Sequence, residues 1–218
     1  MRDPRLTRLV IAAHGSADPR FAATVDALAD RLRALRDGLD VAVGYLEHGP
    51  PDLRDVCGDG DVVVPLLLSR GYHALVDIPA QVPGARVADA VGPDARLVDA
   101  LVDRLAEAGY DGTSAVVLAA AGSSDPGALD DVRLAAAQLA DRLGVDVTAA
   151  FVSAGSPRLE DLDEPTVVAS YLVAPGAFHD AMLRCGAAVV SAPIGDHPAL
   201  AETLLARYDE TCQNVRRL

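Results

Sequence analysis

Residues 8–20 read RLVIAAHGSADPR, and residues 115–127 read AVVLAAAGSSDPG. Each stretch begins with a short apolar run rich in branched residues, the composition of a buried strand. Each then turns at Gly-Ser and meets Asp-Pro. Asp18 and Asp125 are suited to cap a helix whose first position is the proline that follows. Phe21, Val25, Leu28, Leu32 and Leu35 come next at spacings of four and three, one face of a helix. The phrase is therefore strand, loop, helix, written twice. The copies differ at the turn, where His14 stands in the first and Ala121 in the second.

The duplication extends through the chain. VAVGYLEHGPPDL (41–53) runs parallel to VTAAFVSAGSPRL (147–159), VVVPLLLSRGYHALV (62–76) to VVASYLVAPGAFHDAML (167–183), and VGPDARLVDAL (91–101) to IGDHPALAETL (194–204), in the same order and at a near-constant offset. A repeat unit this long means two similar domains and not a solenoid. The expected division is 1–110 and 111–218, with the break near EAGYDGTS (107–114). Within each unit strands alternate with helices: strands over 40–47 and 61–69, a closing helix over 97–108, then strands over 115–121, 146–152, 167–173 and 187–192 with helices over 128–143 and 198–208. The predicted fold class is α/β, two domains from an internal duplication, each a parallel sheet flanked by helices. His73 is taken as the partner of His179 across the repeat.

Composition narrows the function. A net charge of −13, no Trp, five Tyr and three Phe argue against a nucleic-acid partner, because neither counterion release nor stacking platforms are on offer. Three cysteines without CxxC spacing make neither a disulfide frame nor a thiolate metal site. The N-terminal apolar run, Leu9 to Ala13, is too short for a signal core or a membrane span. A reduced, cytoplasmic setting with no membrane partner is expected. No phosphate-binding loop, dinucleotide fingerprint or Gly-x-Ser-x-Gly elbow occurs, and Ser16 is too close to His14 in sequence to form a nucleophile–base pair with it.

Ligands of open parallel sheets lie beyond the carboxyl ends of the strands. His14 and Glu47 fall at two such ends and His73 just past a third, so topology gathers three residues that no local motif would flag. The second copy has Ala121 for His14 and Ser153 for Glu47. A group needed for folding would have been needed twice, so His14, Glu47 and His73 are read as functional. His179 reads either as a structural relic of the duplication or as facing the cleft between the halves and touching ligand. His48 reads as solvent-facing or a loop residue, and His197 as a helix cap. Arg20 and Arg70, flanking the histidine loops, read either as surface charges or as forks for substrate carboxylates. They join Ser16 and Tyr72 as candidate substrate-binding residues.

AHGSADPR (13–20), YLEHGPPDL (45–53) and PLLLSRGYHALVDIP (65–79) resemble the signature stretches of the CbiX/SirB sirohydrochlorin chelatases, within the class II chelatase superfamily. The resemblance covers essentially the whole chain, as the family's two-domain long form. It implies metal-handling and catalytic places for His14, Glu47 and His73, and one site per chain in a cleft between the halves. It also implies a divalent metal (Fe2+, Co2+ or Ni2+) as substrate, no permanently bound cofactor, and a tetrapyrrole as the other substrate. Imidazole suits such ions, and it both ligates and accepts protons near neutral pH. A non-catalytic tetrapyrrole or metal carrier is the alternative. Because fused halves already supply both cleft walls, a monomer is expected.

Overall fold

The computed structural model describes residues 7–162 and 167–214. The outermost ends of the two expected domains, 1–6 and 215–218, lie outside the described residues, as do 163–166. The first half runs β1 (Leu9–Ala13), α1 (Pro19–Leu35), β2 (Val41–Tyr45), α2 (Leu53–Val56), β3 (Val62–Pro65), a π-turn (His73–Asp77), α3 (Ile78–Gln81), β4 (Arg86–Val87) and α4 (Ala95–Glu107). The second runs β5 (Val116–Ala120), α5 (Pro126–Leu143), β6 (Val147–Phe151), a 3-10 turn (Leu159–Asp161), β7 (Val167–Tyr171), α6 (Ala177–Leu183), β8 (Val189–Val190) and α7 (Pro198–Asn214). Both sheets are parallel, ordered β2-β1-β3-β4 and β6-β5-β7-β8.

The repeat seen in sequence is a repeat of hydrogen bonds. Asp18 and Asp125 each accept from the backbone two residues on, capping α1 and α5 with proline at the first helical position. Glu47 N–H donates to the His14 carbonyl at 2.9 Å, and Ser153 N–H to the Ala121 carbonyl at 2.8 Å. The frame is therefore independent of which side chain it carries.

Two expectations need correction. Leu35 was placed on the buried face of α1 but is exposed. The helix has 17 residues and rises about 25 Å, whereas the five-residue β1 beneath it spans about 17 Å, so the last turn overhangs the sheet. The third strand stops at Pro65, short of Ser69. Residues 66–70 leave the sheet to meet the other half, where the Tyr171 hydroxyl donates to the Leu68 carbonyl at 3.0 Å and the Arg70 N–H to Asp131 at 2.7 Å.

Strand pleating sends alternate side chains to different cores. Leu9, Ile11 and Ala13 of β1 enter a large central core that also holds Leu118, Ala120 and Phe151, so the two halves share it. Val10 and Ala12 point outward into a small core with Leu53, Ile78 and Val82. Ala119 and Ala150 do the same with Leu159 and Met182. The closing helices are exchanged: α4 packs on β7 and α5, and α7 packs on β3 and α1. Arg104 of α4 donates to the Ile194 carbonyl at 3.0 Å, while Arg207 of α7 donates to the Ala90 carbonyl at 3.1 Å and to Asp94 at 3.0 Å. Each half thus clasps the loop before the other's closing helix.

Ion pairs add to the seam. Asp131 is buried on α5, and it holds the Arg70 guanidinium as well as its N–H; that hydrogen bonding pushes the Arg70 pKa up. Arg70→Met is expected to lower the unfolding free energy by about 2 kcal/mol, because the buried carboxylate keeps only one N–H donor. Adding Asp131→Leu should recover most of that loss. Urea unfolding of both variants checks this, and an unchanged midpoint for Arg70→Met would contradict it.

Candidate active site

His14 leaves β1 at its carboxyl end, where Gly15 turns the chain at φ 95°. The turn is close: a Cβ on Gly15 would collide with the Glu47 carbonyl. The His14 Nδ1 lies 3.2 Å from the Gly15 carbonyl. That oxygen only accepts, so Nδ1 carries a proton, and it is the neutral ring that leaves Nε2 bare.

His73 arrives from β3 by way of the π-turn. The Ile78 N–H donates to the His73 carbonyl, one residue longer than an α-helical bond, and Pro79 has no N–H with which to continue the ladder. Such turns recur at functional sites. The His14 and His73 rings meet edge to face, centroids 4.9 Å apart and planes at 88°. His73 Nδ1 lies 2.8 Å from Asp77 Oδ2, and the Gln81 amide donates to Asp77 Oδ1 at 2.9 Å. The Gln81 hydrogen bond, opposed by desolvation and aided by His73, holds the Asp77 carboxyl below its ordinary value. An ionised carboxylate only accepts, so His73 donates through Nδ1, and it is the neutral ring that leaves Nε2 bare.

Glu47 follows β2 as expected, and its backbone is bonded to His14. Its carboxylate is exposed and lies 3.6 Å from His48 Nε2. Among the described residues no three His, Cys, Asp or Glu side chains converge to hold a metal. The structure therefore brings His14 and His73 together and leaves the Glu47 side chain outside the pair.

The loops of the two halves face each other. A Cβ on Gly71 would stand 3.5 Å from Ala128, and one on Gly176 would stand 3.9 Å from Ser16 Oγ and from Asp18. Tyr72, Leu75 and Val76 beside His73 are exposed, as is Phe178 just past Gly176. Exposed apolar side chains of this kind are suited to contact with a flat aromatic ligand.

Residues 8–108 match the model of the CbiX family. This stretch is a CbiX domain. No curated protein matches the chain. Solved structures resemble it over nearly its whole length, among them the following. SirB from Bacillus subtilis with Fe3+ is 25% identical at a TM-score of 0.78, covering 97% of this chain and 98% of that one. The sirohydrochlorin chelatase SirB from B. subtilis subspecies spizizenii, in complex with cobalt, is 24% identical at a TM-score of 0.78, covering 96% and 97%. CbiX, described as the terminal enzyme for siroheme biosynthesis in denitrifying bacteria, is 22% identical at a TM-score of 0.72, covering 92% and 99%. The two lower identities bear on fold alone, and they agree with two parallel sheets flanked by helices.

The CbiX domain holds the histidine pair, and the second half holds a single histidine in its corresponding loop. His179 is buried, with Nε2 3.2 Å from the Ser191 carbonyl. Counted from the glycine of each loop, Phe178 takes the place of His73, and His179 is one residue later. One residue on a helix is a turn of about 100°, enough to point the imidazole inward. His197 accepts from the Ala199 N–H through Nδ1, a capping contact at the start of α7. His48 is exposed.

The candidate substrate-binding residues of the CbiX domain are placed as follows. Ser16 Oγ accepts from the Asp18 N–H at 3.1 Å, and Tyr72 stacks edge-on against His73 at 6.0 Å. Arg20 donates to Asp18 and to Asp180 of the second half, and Arg70 is held by Asp131. Both guanidinium groups are therefore engaged within the chain. Asp131, Asp180 and Asp77 are the partners that a charge count along the sequence does not identify. Only Asp77 left a readable signal, its spacing of four from His73.

Proposed function

We propose that this chain inserts a divalent metal ion into sirohydrochlorin, releasing the two pyrrole N–H protons as the metal takes their place. The observation that carries the reading is the edge-to-face His14–His73 pair, each ring with Nδ1 against an oxygen, so that in the neutral ring Nε2 is the free nitrogen. Two imidazoles give weak, open ligation, which suits an ion that must be handed on. The same nitrogens accept protons near neutral pH. Glu47, exposed and adjacent through its backbone, supplies a third group by side-chain rotation, as metal ligand or proton acceptor. Tyr72, Leu75, Val76 and Phe178 take the macrocycle, with Ser16 at the edge. Arg20 and Arg70 contact substrate carboxylates only by sharing their present carboxylate partners.

The CbiX domain and the full-length likeness to SirB support this reading. Both walls of the cleft come from one chain, which supports a monomer acting on Fe2+ or Co2+. Among the described residues no helix is long and apolar enough to cross a membrane. The test is to mix metal-free sirohydrochlorin with Fe2+, Co2+ or Ni2+ and follow the absorption change with and without protein. A protein-dependent rate is expected. Binding of the tetrapyrrole with no gain in rate would make the chain a carrier instead.

A further inference from the structure

We infer that Asp77 is the positioning residue for His73, fixing which imidazole nitrogen is offered to the cleft, and that Gln81 in turn fixes Asp77. The inference deepens the chelatase reading and rests on it for its kinetic arm. Three observations carry it. The first is the chain of contacts from Gln81 Nε2 to Asp77 Oδ1 at 2.9 Å and from Asp77 Oδ2 to His73 Nδ1 at 2.8 Å. Two residues thus grip the two oxygens of one carboxylate, so it cannot rotate without losing a partner.

The second is the state of Gln81. Its Oε1 is buried and has no hydrogen-bond partner among the described residues. A side-chain amide facing no demand would turn to satisfy both ends. This one presents its donor to Asp77 and leaves its acceptor unpaired, which is the mark of a residue held for the sake of its neighbour.

The third is the contrast between the halves. The CbiX domain reaches its histidine through a π-turn that sets Asp77 beside the ring. The second half uses a regular α-helix, where His179 meets a backbone carbonyl and the nearby Asp180 goes to Arg20. The carboxylate–imidazole pair is present where the imidazole faces the cleft and absent where it faces inward. Partners of this kind set tautomer and ring orientation in ligating histidines. A free imidazole favours the proton on Nε2, which would block the nitrogen that has to bind metal or accept a proton. Asp77 reverses that preference.

Nitrogen-resolved NMR of histidine-labelled, metal-free protein tests this, alongside steady-state cobalt insertion. In the unmodified protein neutral His73 should carry its proton on Nδ1. In Asp77→Ala the Nε2–H form should dominate and kcat should fall about 30-fold, with KM for the tetrapyrrole within about twofold. Asp77→Asn can still accept from Nδ1 while its amide meets the Gln81 Oε1. It should keep the Nδ1–H form and show a smaller loss of kcat. Persistence of the Nδ1–H form in Asp77→Ala, or a fall in kcat below about threefold, overturns the assignment. If the unmodified protein inserts no metal, the chelatase reading fails, and the NMR arm alone decides the role of Asp77.

Discussion

Alanine at both His14 and His73 is expected to slow metal insertion by about a thousandfold while leaving the protein folded. The two rings supply the bare nitrogens of the cleft, and positioned proton acceptors alone contribute about a hundred- to ten-thousandfold. Neither ring is fully buried, so the thermal midpoint should move by only a few degrees. Either single variant should fall between the double variant and the unmodified chain, because one imidazole still offers a weak site. His179→Ala is the informative contrast: it removes a buried hydrogen bond in the second half and should cost stability with little change in kcat. Retention of full activity by the double variant would remove the basis of the proposed reaction.

Gly15→Ala and Gly122→Ala should be equally damaging to stability and unequal in activity. Both glycines sit at left-handed φ, 95° and 100°, and in both an added Cβ would collide with backbone, the Glu47 carbonyl in one case and Ala154 in the other. Strain of this kind costs about 3 kcal/mol or more once steric overlap is included. At Gly15 the strain falls on the backbone bond between Glu47 and His14 and displaces the imidazole, so activity per folded molecule should drop more than about tenfold. At Gly122 the same displacement moves Ala121 and Ser153, which do no chemistry. Denaturant unfolding and insertion rates of the two variants test this. Equal activities per folded molecule would show that the His14 turn has no special part.

The strand-loop-helix frame was legible because its signals are local: branched apolar runs, Asp-Pro caps, and apolar spacings of three and four. The destination of α4 and α7 was not. Leu97, Leu101 and Leu105 mark an apolar face, but a periodic face fits either sheet equally well. The gathering of His14 and His73 followed from strand ends and topology, which constrain Cα positions. Glu47 shows the limit of that argument, since the strand end places its backbone and leaves an exposed side chain free to turn. Arg20 and Arg70 show another: charge reads from sequence, while the far-half carboxylates that claim it do not, Asp180 (beside the local Asp18) for Arg20 and Asp131 for Arg70. His179 stands one residue further from its glycine than His73 does, which a helix converts into a turn of about 100°.

The exchanged helices bear on how the two halves came to differ. Without α4 the sheet of the second half would lose its packing over β7, and without α7 the first would lose its packing over β3. A single unit could close only by swapping that helix with an identical copy, and in such a symmetric pair any substitution strikes both active clefts at once. Joining the copies in one chain breaks that symmetry. His14 can then be kept on one side while Ala121 stands on the other, and the two halves are free to diverge.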